Sequence, residues 1–375
     1  MPSFTHIAKV LVRDWLRPWW IVVVVSLVYL GLIVAMNGGD PLALAILGTR
    51  FSEGDPAGTE GYDGQFAYYI AVDPLNGWQQ CDVPAYRYQR ILYPLLARSL
   101  ALGDENAIPY VLPLVNVIAL GVGTWLAERI LCRYGMSRWY AITYGLYAGQ
   151  LMSARLDLNE PLAHALVMAA ILCLERERWG WGVALFALAA LAKETALVFV
   201  GGYLLYLLVH RKWRNVASMA LGVGVPFATW QLVLWAWFGR PGLGSGGAGA
   251  TAWEYIPYRG LWSLGAIDLR VLGLLSIVMV PLAVLPSLVG LWATAKDLCQ
   301  GRWHPFTTML LANCVVMLFL PQSTYREPYA MLRLTSGLMI SMILYGAWKR
   351  SRRTLNYTLL WLASLVFVTK EAPIP

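Results

Sequence analysis

Charge is scarce in this chain. Asp, Glu, Lys and Arg together make up 13% of its 375 residues while 58% are hydrophobic, which is too little polarity for a domain wetted on every side. That excludes an ordinary soluble enzyme and points to a membrane protein. The five cysteines, Cys81, Cys132, Cys173, Cys299 and Cys314, form no CxxC and no His-paired spacing, so neither a disulfide framework nor a zinc site is indicated. Of the four histidines only His164 falls near acidic residues of interest, and a lone His reads as a packed polar residue. No HExxH, Ser/His/Asp triad or internal repeat is found. The Gly-rich GRPGLGSGGAGAT, 239–251, lacks the GK[ST] ending of a P-loop and the strand-turn-helix context of a dinucleotide site. It reads as a flexible loop able to close over a site.

What fills the chain is a series of apolar runs near 20 residues, each long enough to cross a hydrocarbon core of roughly 30 Å as a helix. They fall near 18–36, 107–128, 139–155, 161–174, 180–192, 195–209, 216–238, 271–294, 305–321, 329–347 and 354–369. The predicted fold is an all-α polytopic integral membrane protein of about eleven transmembrane helices, one domain over 1–375. The first run follows Arg13 and Arg17 without a small-residue cleavage site, so it reads as an anchor. The runs at 161–174 and 180–192 are short for a crossing, and tilted, broken or merged helices are expected there.

With the N-terminus inside, the inner connections carry 17 of the 29 basic and 5 of the 21 acidic residues, net +12, which leaves net −4 outside and accounts for the chain's +8. The basic balance therefore follows from topology and anionic lipid headgroups, and requires no nucleic acid. On this topology labelling from outside reaches Cys81 and misses Cys299. The long polar loops, 38–106 and 239–270, are outer, and chemistry is expected there. Within the first, Pro84 to Leu102 sets Tyr86, Ile91, Leu95 and Leu102 against Arg87, Arg90 and Arg98, predicting an amphipathic helix on the membrane surface with Pro94 dividing it.

Ionisable groups at membrane depth cost several kcal/mol, so they are either functional or paired with one another. Four outer clusters qualify. GYDGQFAYYIAVDP, 61–74, sets Asp63 among Tyr62, Gln65, Phe66, Tyr68 and Tyr69; exposed aromatics gain nothing in water, so the segment is expected to fold back onto protein or ligand. Asp63 is then a candidate general base, the plainer reading being an Asp-Gly turn; Asp73, before Pro74, reads as a turn residue. RLDLNEP contains Arg155, Asp157, Asn159 and Glu160, with Asp157 or Asn159 equally readable as a helix cap ahead of Pro161. Lys193-Glu194 lies between two very apolar runs, with a snorkelling lysine as the plain alternative. QSTYREPYAMLR holds Arg326, Glu327 and Arg333; a seven-residue separation sets the two arginines on one helical face.

The pattern YDGQF-x-Y…DP followed by YRYQRILYP resembles the GT-C superfamily of polytopic glycosyltransferases, which includes protein O-mannosyltransferases and the lipid A aminoarabinose transferase, and especially its bacterial branch for cell-surface glycopolymers. The resemblance covers the topology and about the first 100 residues; it is weaker at RLDLNEP, Lys193-Glu194 and YREPYAMLR. It implies an inverting transfer at the outer, periplasmic face of a bacterial inner membrane, from a polyprenyl-phosphate sugar donor to a glycan, lipid or protein acceptor. It gives Asp63 the catalytic carboxylate, although Asp-Gly stands where the family has an Asp-Glu or Glu-Asp pair, which leaves the second acid open between Asp157 and Glu160. The departing phosphate needs cations: Lys193, Arg326 and Arg333 first, Arg87 and Arg90 in reserve. Tyr62, Gln65, Tyr69 and Glu194 are candidates for substrate contact. No cofactor is called for and no divalent-metal site is indicated. The rival class is a transporter or lipid flippase, whose charges would mark a path across the bilayer; an oligosaccharide polymerase or ligase comes third.

Overall fold

The computed structural model describes residues 17–266 and 268–369; Arg13 and His6 lie outside them. Every predicted span is helical, and there is no strand among the described residues. The helices used below are α1 (Pro18–Met36), α2 (Gly64–Val72), α3 (Pro84–Tyr88), α4 (Leu92–Leu100), α5 (Ile108–Arg133), α6 (Ile142–Leu146), α7 (Ala148–Arg155), α8 (Glu160–Glu175), α9 (Trp179–Ala192), α10 (Ala196–Val209), α11 (Trp213–Phe238), α12 (Leu269–Met279), α13 (Leu285–Cys299), α14 (Pro305–Leu318), α15 (Gln322–Arg326), α16 (Pro328–Trp348) and α17 (Arg352–Thr358). Five stretches, α1, α5, α11, α12 with α13, and α16, are long and apolar enough to cross a membrane, and α9, α10 and α14 are shorter apolar helices. The chain is an all-helical, multi-pass membrane protein.

The expected break or merger does not fall in the two short spans. Spans 161–174 and 180–192 are each one unbroken helix. The break falls instead in 139–155, where Tyr147 adopts φ −59°, ψ 130° between α6 and α7. The tyrosine leaves the helix to donate its hydroxyl to Leu332 O at 2.7 Å. Beside it, a Cβ on Gly149 would lie 2.2 Å from the same carbonyl, so α7 and α16 touch backbone to backbone. Between α12 and α13 a π-helical turn, Val280–Val284, contains Pro281, which has no N–H to donate. Tyr357 and Trp361 satisfy the carbonyls of Pro281 and Leu282 at 2.5 and 2.9 Å, which is what makes such a turn tolerable away from water.

Helix length shapes the end of the bundle that carries the long loops. At 1.5 Å per residue α8 is roughly 24 Å long and α9 and α10 roughly 21 Å, all short of a 30 Å core. Their ends at 159–160 and 192–196 meet, because α8 packs along α9 and α10 follows directly. The result is a polar-lined recess sunk into the apolar bundle.

The opposite end is tied by basic connections: Glu128, 3% exposed, faces Arg17 and Arg138, and Asp297 faces Lys349 and accepts from the Tyr345 hydroxyl. Cys81, predicted as an outside reporter, is buried with its thiol on Gly77 O, so it is unsuited to that role. The predicted surface helix at 84–102 is also corrected. It divides at Gln89–Ile91, ahead of Pro94, which sits in the first turn of α4 where no N–H is missed. Arg87 and Arg90, assigned to a solvated face, are buried.

Adjacent glycines on α10 separate packing from propensity. A Cβ on Gly202 would fall 2.6 Å from Met309 Cα on α14, whereas one on Gly201 meets nothing. Gly202→Ala is expected to lower the melting midpoint in detergent by at least about 1 °C relative to Gly201→Ala, the shift that roughly 1 kcal/mol produces in a chain this long. Equal midpoints would show that the α10–α14 crossing is not close-packed.

Candidate functional site

Asp63 precedes α2 in the N-cap position, yet its side chain makes no capping bond. The Asp-Gly turn is there, residue 63 standing in the turn that leads into α2, but the carboxylate is not used to cap the helix. Its carboxylate is held by two arginines from distant elements: Arg87 Nη1 of α3 at 2.9 Å and Arg333 Nη2 of α16 at 3.2 Å. Space holds position 64 to glycine, because a Cβ there would lie 2.0 Å from Leu156 O. A larger second residue would push α2, and Asp63 with it, off the turn between α7 and α8.

Both arginines are shared. Arg87 also forms a two-point pair with Asp82, Nε to Oδ1 at 2.7 Å and Nη2 to Oδ2 at 2.8 Å. Its guanidinium lies 4.1 Å from the Phe66 ring centroid, so the aromatic residues of the segment do fold back, onto a cation. Arg333 donates through Nε to Glu160 Oε1 at 2.8 Å and through Nη1 to the Tyr62 hydroxyl at 2.9 Å. Tyr62 in turn donates to Glu327. Lys193 Nζ reaches the same Glu160 Oε1 at 2.6 Å, and Arg90 forms a two-point pair with Glu194 at 2.9 and 2.6 Å. Lys193 and Glu194, adjacent in sequence, thus serve different partners. Tyr86 donates no proton to this set but accepts from Arg90 at 2.6 Å, its ring 4.4 Å from that guanidinium.

Asp63, Arg87, Arg90, Glu160 and Arg333 line a small cavity that is partly open to solvent. Phe66, Ile70, Pro94 and Leu158 supply its apolar wall. Its lining pairs an apolar side with several cations, the combination an amphiphilic anion requires.

Two acids are set to opposite states. Burial pushes the Asp63 carboxyl up, but the charges of Arg87 and Arg333 outweigh it and hold the group well below the usual carboxylate range. Asp157, 1% exposed, is pushed well above that range by burial, with the Arg155 charge opposing only in part. Asp157 has φ +50° and one carboxylate oxygen without a hydrogen-bond partner, and it does not line the cavity.

The remaining predicted residues sort as follows. Gln65 faces away from the cavity, its amide accepting from Gly48 N at 3.0 Å and donating to Glu60 O at 2.7 Å, so it braces the loop. Tyr69 packs on Tyr68 and does not line the cavity. Asp73 is the turn residue expected, accepting from Leu75 N and Asn76 N at 3.0 and 3.1 Å. Asn159 stands in the N-cap position of α8 without capping it, donating to Arg90 O at 3.2 Å. His164 is a packed polar residue against Gln150 at 3.0 Å. Arg326 is exposed and outside the cluster: the helix breaks at Glu327–Pro328, so α15 and α16 do not continue one face. The Gly-rich segment lies at the rim, where Ala248 N donates to Asp82 Oδ2 at 2.8 Å and Thr251 bonds Ser323. Sequence reasoning missed Asp82 and Tyr86. A signal existed for Asp82, an acid five residues ahead of a buried arginine.

Comparison with known proteins gives a short likeness. A stretch of 76 residues is 34% identical to the human Dol-P-Man:Man(5)GlcNAc(2)-PP-Dol alpha-1,3-mannosyltransferase, covering 18% of this chain and 17% of that protein. The chain thus matches less than a fifth of the length of this curated relative. No family model and no solved structure matches.

Proposed function

We propose that this protein is a membrane glycosyltransferase that takes a sugar from a polyprenyl-phosphate donor and transfers it, with inversion, to a cell-envelope glycan, lipid or protein. The observation that carries the reading is Asp63 bridged to Arg87 and Arg333 at the mouth of a recess with one apolar wall. The short likeness to a mannosyltransferase whose name specifies a lipid-linked sugar supports the same class.

In this reading the acceptor hydroxyl attacks the anomeric carbon. The bond from that carbon to the phosphate oxygen breaks, the electron pair leaves on the phosphate, and Asp63 takes the hydroxyl proton. No general acid is required. Arg87, Arg90 and Arg333 balance the charge growing on the phosphate, which promotes the two reserve arginines. Lys193, 4% exposed and bonded to Glu160, acts as a positioning residue behind them. Glu160 orients Arg333 through Oε1, and Glu194 fixes Arg90. We assign the cavity to the outer face of the membrane, the periplasmic side in a bacterium, on the strength of the basic connections gathered at the opposite end.

Two outcomes follow. In sealed cells a membrane-impermeant thiol reagent is expected to label a cysteine introduced at Leu102, which is 93% exposed, and to miss the exposed native Cys299. Labelling of Cys299 would invert the topology. In vesicles containing purified protein, release of polyprenyl phosphate from polyprenyl-phosphate hexoses is expected to fall about 10²–10⁴-fold in Asp63→Asn, the usual worth of a general base. Arg326→Ala is expected to leave it within about threefold, an allowance of roughly 0.6 kcal/mol. More than a tenth of wild-type turnover in Asp63→Asn would move the base to Glu160, the other carboxylate lining the cavity.

A further inference from the structure

Every cation of the cavity cluster is already taken. Arg87, Arg90, Lys193 and Arg333 are matched by Asp63, Asp82, Glu160 and Glu194, and Glu327 adds a further acid through Tyr62. A phosphate entering this cluster therefore meets no spare positive charge. Buried ion pairs are stable only while each charge keeps a partner, so one carboxylate has to yield as the phosphate arrives.

The geometry distinguishes which one. Asp82 grips Arg87 at two points and also accepts from Val83 N and Ala248 N at 2.7 and 2.8 Å. Glu194 grips Arg90 at two points. Glu160 is 1% exposed beneath two cations. Asp63 alone of the four has one contact to each of two arginines, the longer at 3.2 Å, and a side chain 30% exposed. Because it caps no helix, turning it out breaks no backbone hydrogen bond.

We propose that Asp63 stands in for the donor's phosphate: in the empty protein it occupies the anion subsite between Arg87 and Arg333, and the incoming phosphate ester displaces it into position to receive the acceptor's proton. The ligand class, a lipid-linked phosphate ester, rests on the glycosyl-transfer reading; the exchange rests on the charge balance. The exchange couples the two substrates. With no donor bound, Asp63 is held by the arginines and is a poor base. With donor bound, the arginines hold phosphate and the carboxylate faces the acceptor hydroxyl. After transfer the protonated Asp63 loses its proton to water and returns to the arginines, and its return expels the polyprenyl phosphate.

Such a stand-in lowers apparent affinity, because the site is open only in the fraction of molecules whose Asp63 has turned out. Removing the stand-in should therefore tighten phosphate binding in the same variant that abolishes transfer. The probes are farnesyl phosphate and inorganic phosphate, titrated into the purified full-length protein in detergent. Asp63→Asn and Asp63→Ala are each expected to bind farnesyl phosphate at least tenfold more tightly than wild type, and Arg87→Gln in the Asp63→Asn background to remove that gain. Inorganic phosphate is expected to bind the same variants at least tenfold more weakly than farnesyl phosphate; equal affinity would overturn the lipid source of the ligand. Unchanged or weaker binding in both Asp63 variants, with wild-type binding still dependent on Arg87, overturns the exchange and leaves the transfer reading intact. Binding of neither probe by any form, or binding indifferent to Arg87→Gln, overturns both.

Discussion

A carboxylate shared between two arginines is the interaction on which the rest of this site depends. Asp63 draws together α2, α3 and α16, whose residues are separated by as many as 270 positions. Each arginine then recruits a second acid, Asp82 for Arg87 and Glu160 for Arg333, and Glu160 recruits Lys193. Buried charges impose this branching: one unpaired member would leave a neighbour desolvated without compensation, at a cost of several kcal/mol. The network is thus both the scaffold of the recess and its candidate chemistry. Removing a member perturbs the positions of the others, so charge-preserving and isosteric changes report on the chemistry better than truncations do.

The surrounding fold makes room for that network where the ends of α8, α9 and α10 meet. Glu160, Lys193 and Glu194 stand at those ends, Glu160 paired with Lys193 and Arg333, and Glu194 with Arg90. The close backbone contact at Gly64 seats the turn between α7 and α8 against α2, and the one at Gly149 seats the start of α7 against α16. This is how residues far apart in sequence come to share one cavity.

The helices were legible in the sequence because a run of about twenty apolar residues has few other uses, and five of the eleven predicted spans are long and apolar enough to cross a membrane. Asp63 was legible because a carboxylate among aromatics is unusual. Three features were not. The break at Tyr147 carries no proline, and only flanking Gly145 and Gly149 mark it. Arg87 and Arg90 followed an amphipathic period truly, but periodicity gives a polar face without saying whether water or a ring of carboxylates lies beyond it. The joint face of Arg326 and Arg333 was an error the sequence itself could have prevented: Pro328 restrains the residue before it from helical angles, and Glu327 is extended at φ −106°, ψ 109°.

The central claim is that one subsite, between Arg87 and Arg333, is held by Asp63 when empty and by phosphate when occupied. Determining the structure of the protein in lipid nanodiscs with a polyprenyl phosphate bound tests it most directly. The account predicts phosphate oxygens within hydrogen-bond distance, about 2.7–2.9 Å, of both Arg87 and Arg333, with the Asp63 carboxylate turned away from them. A phosphate bound elsewhere, with both Asp63 ion pairs intact, would contradict it.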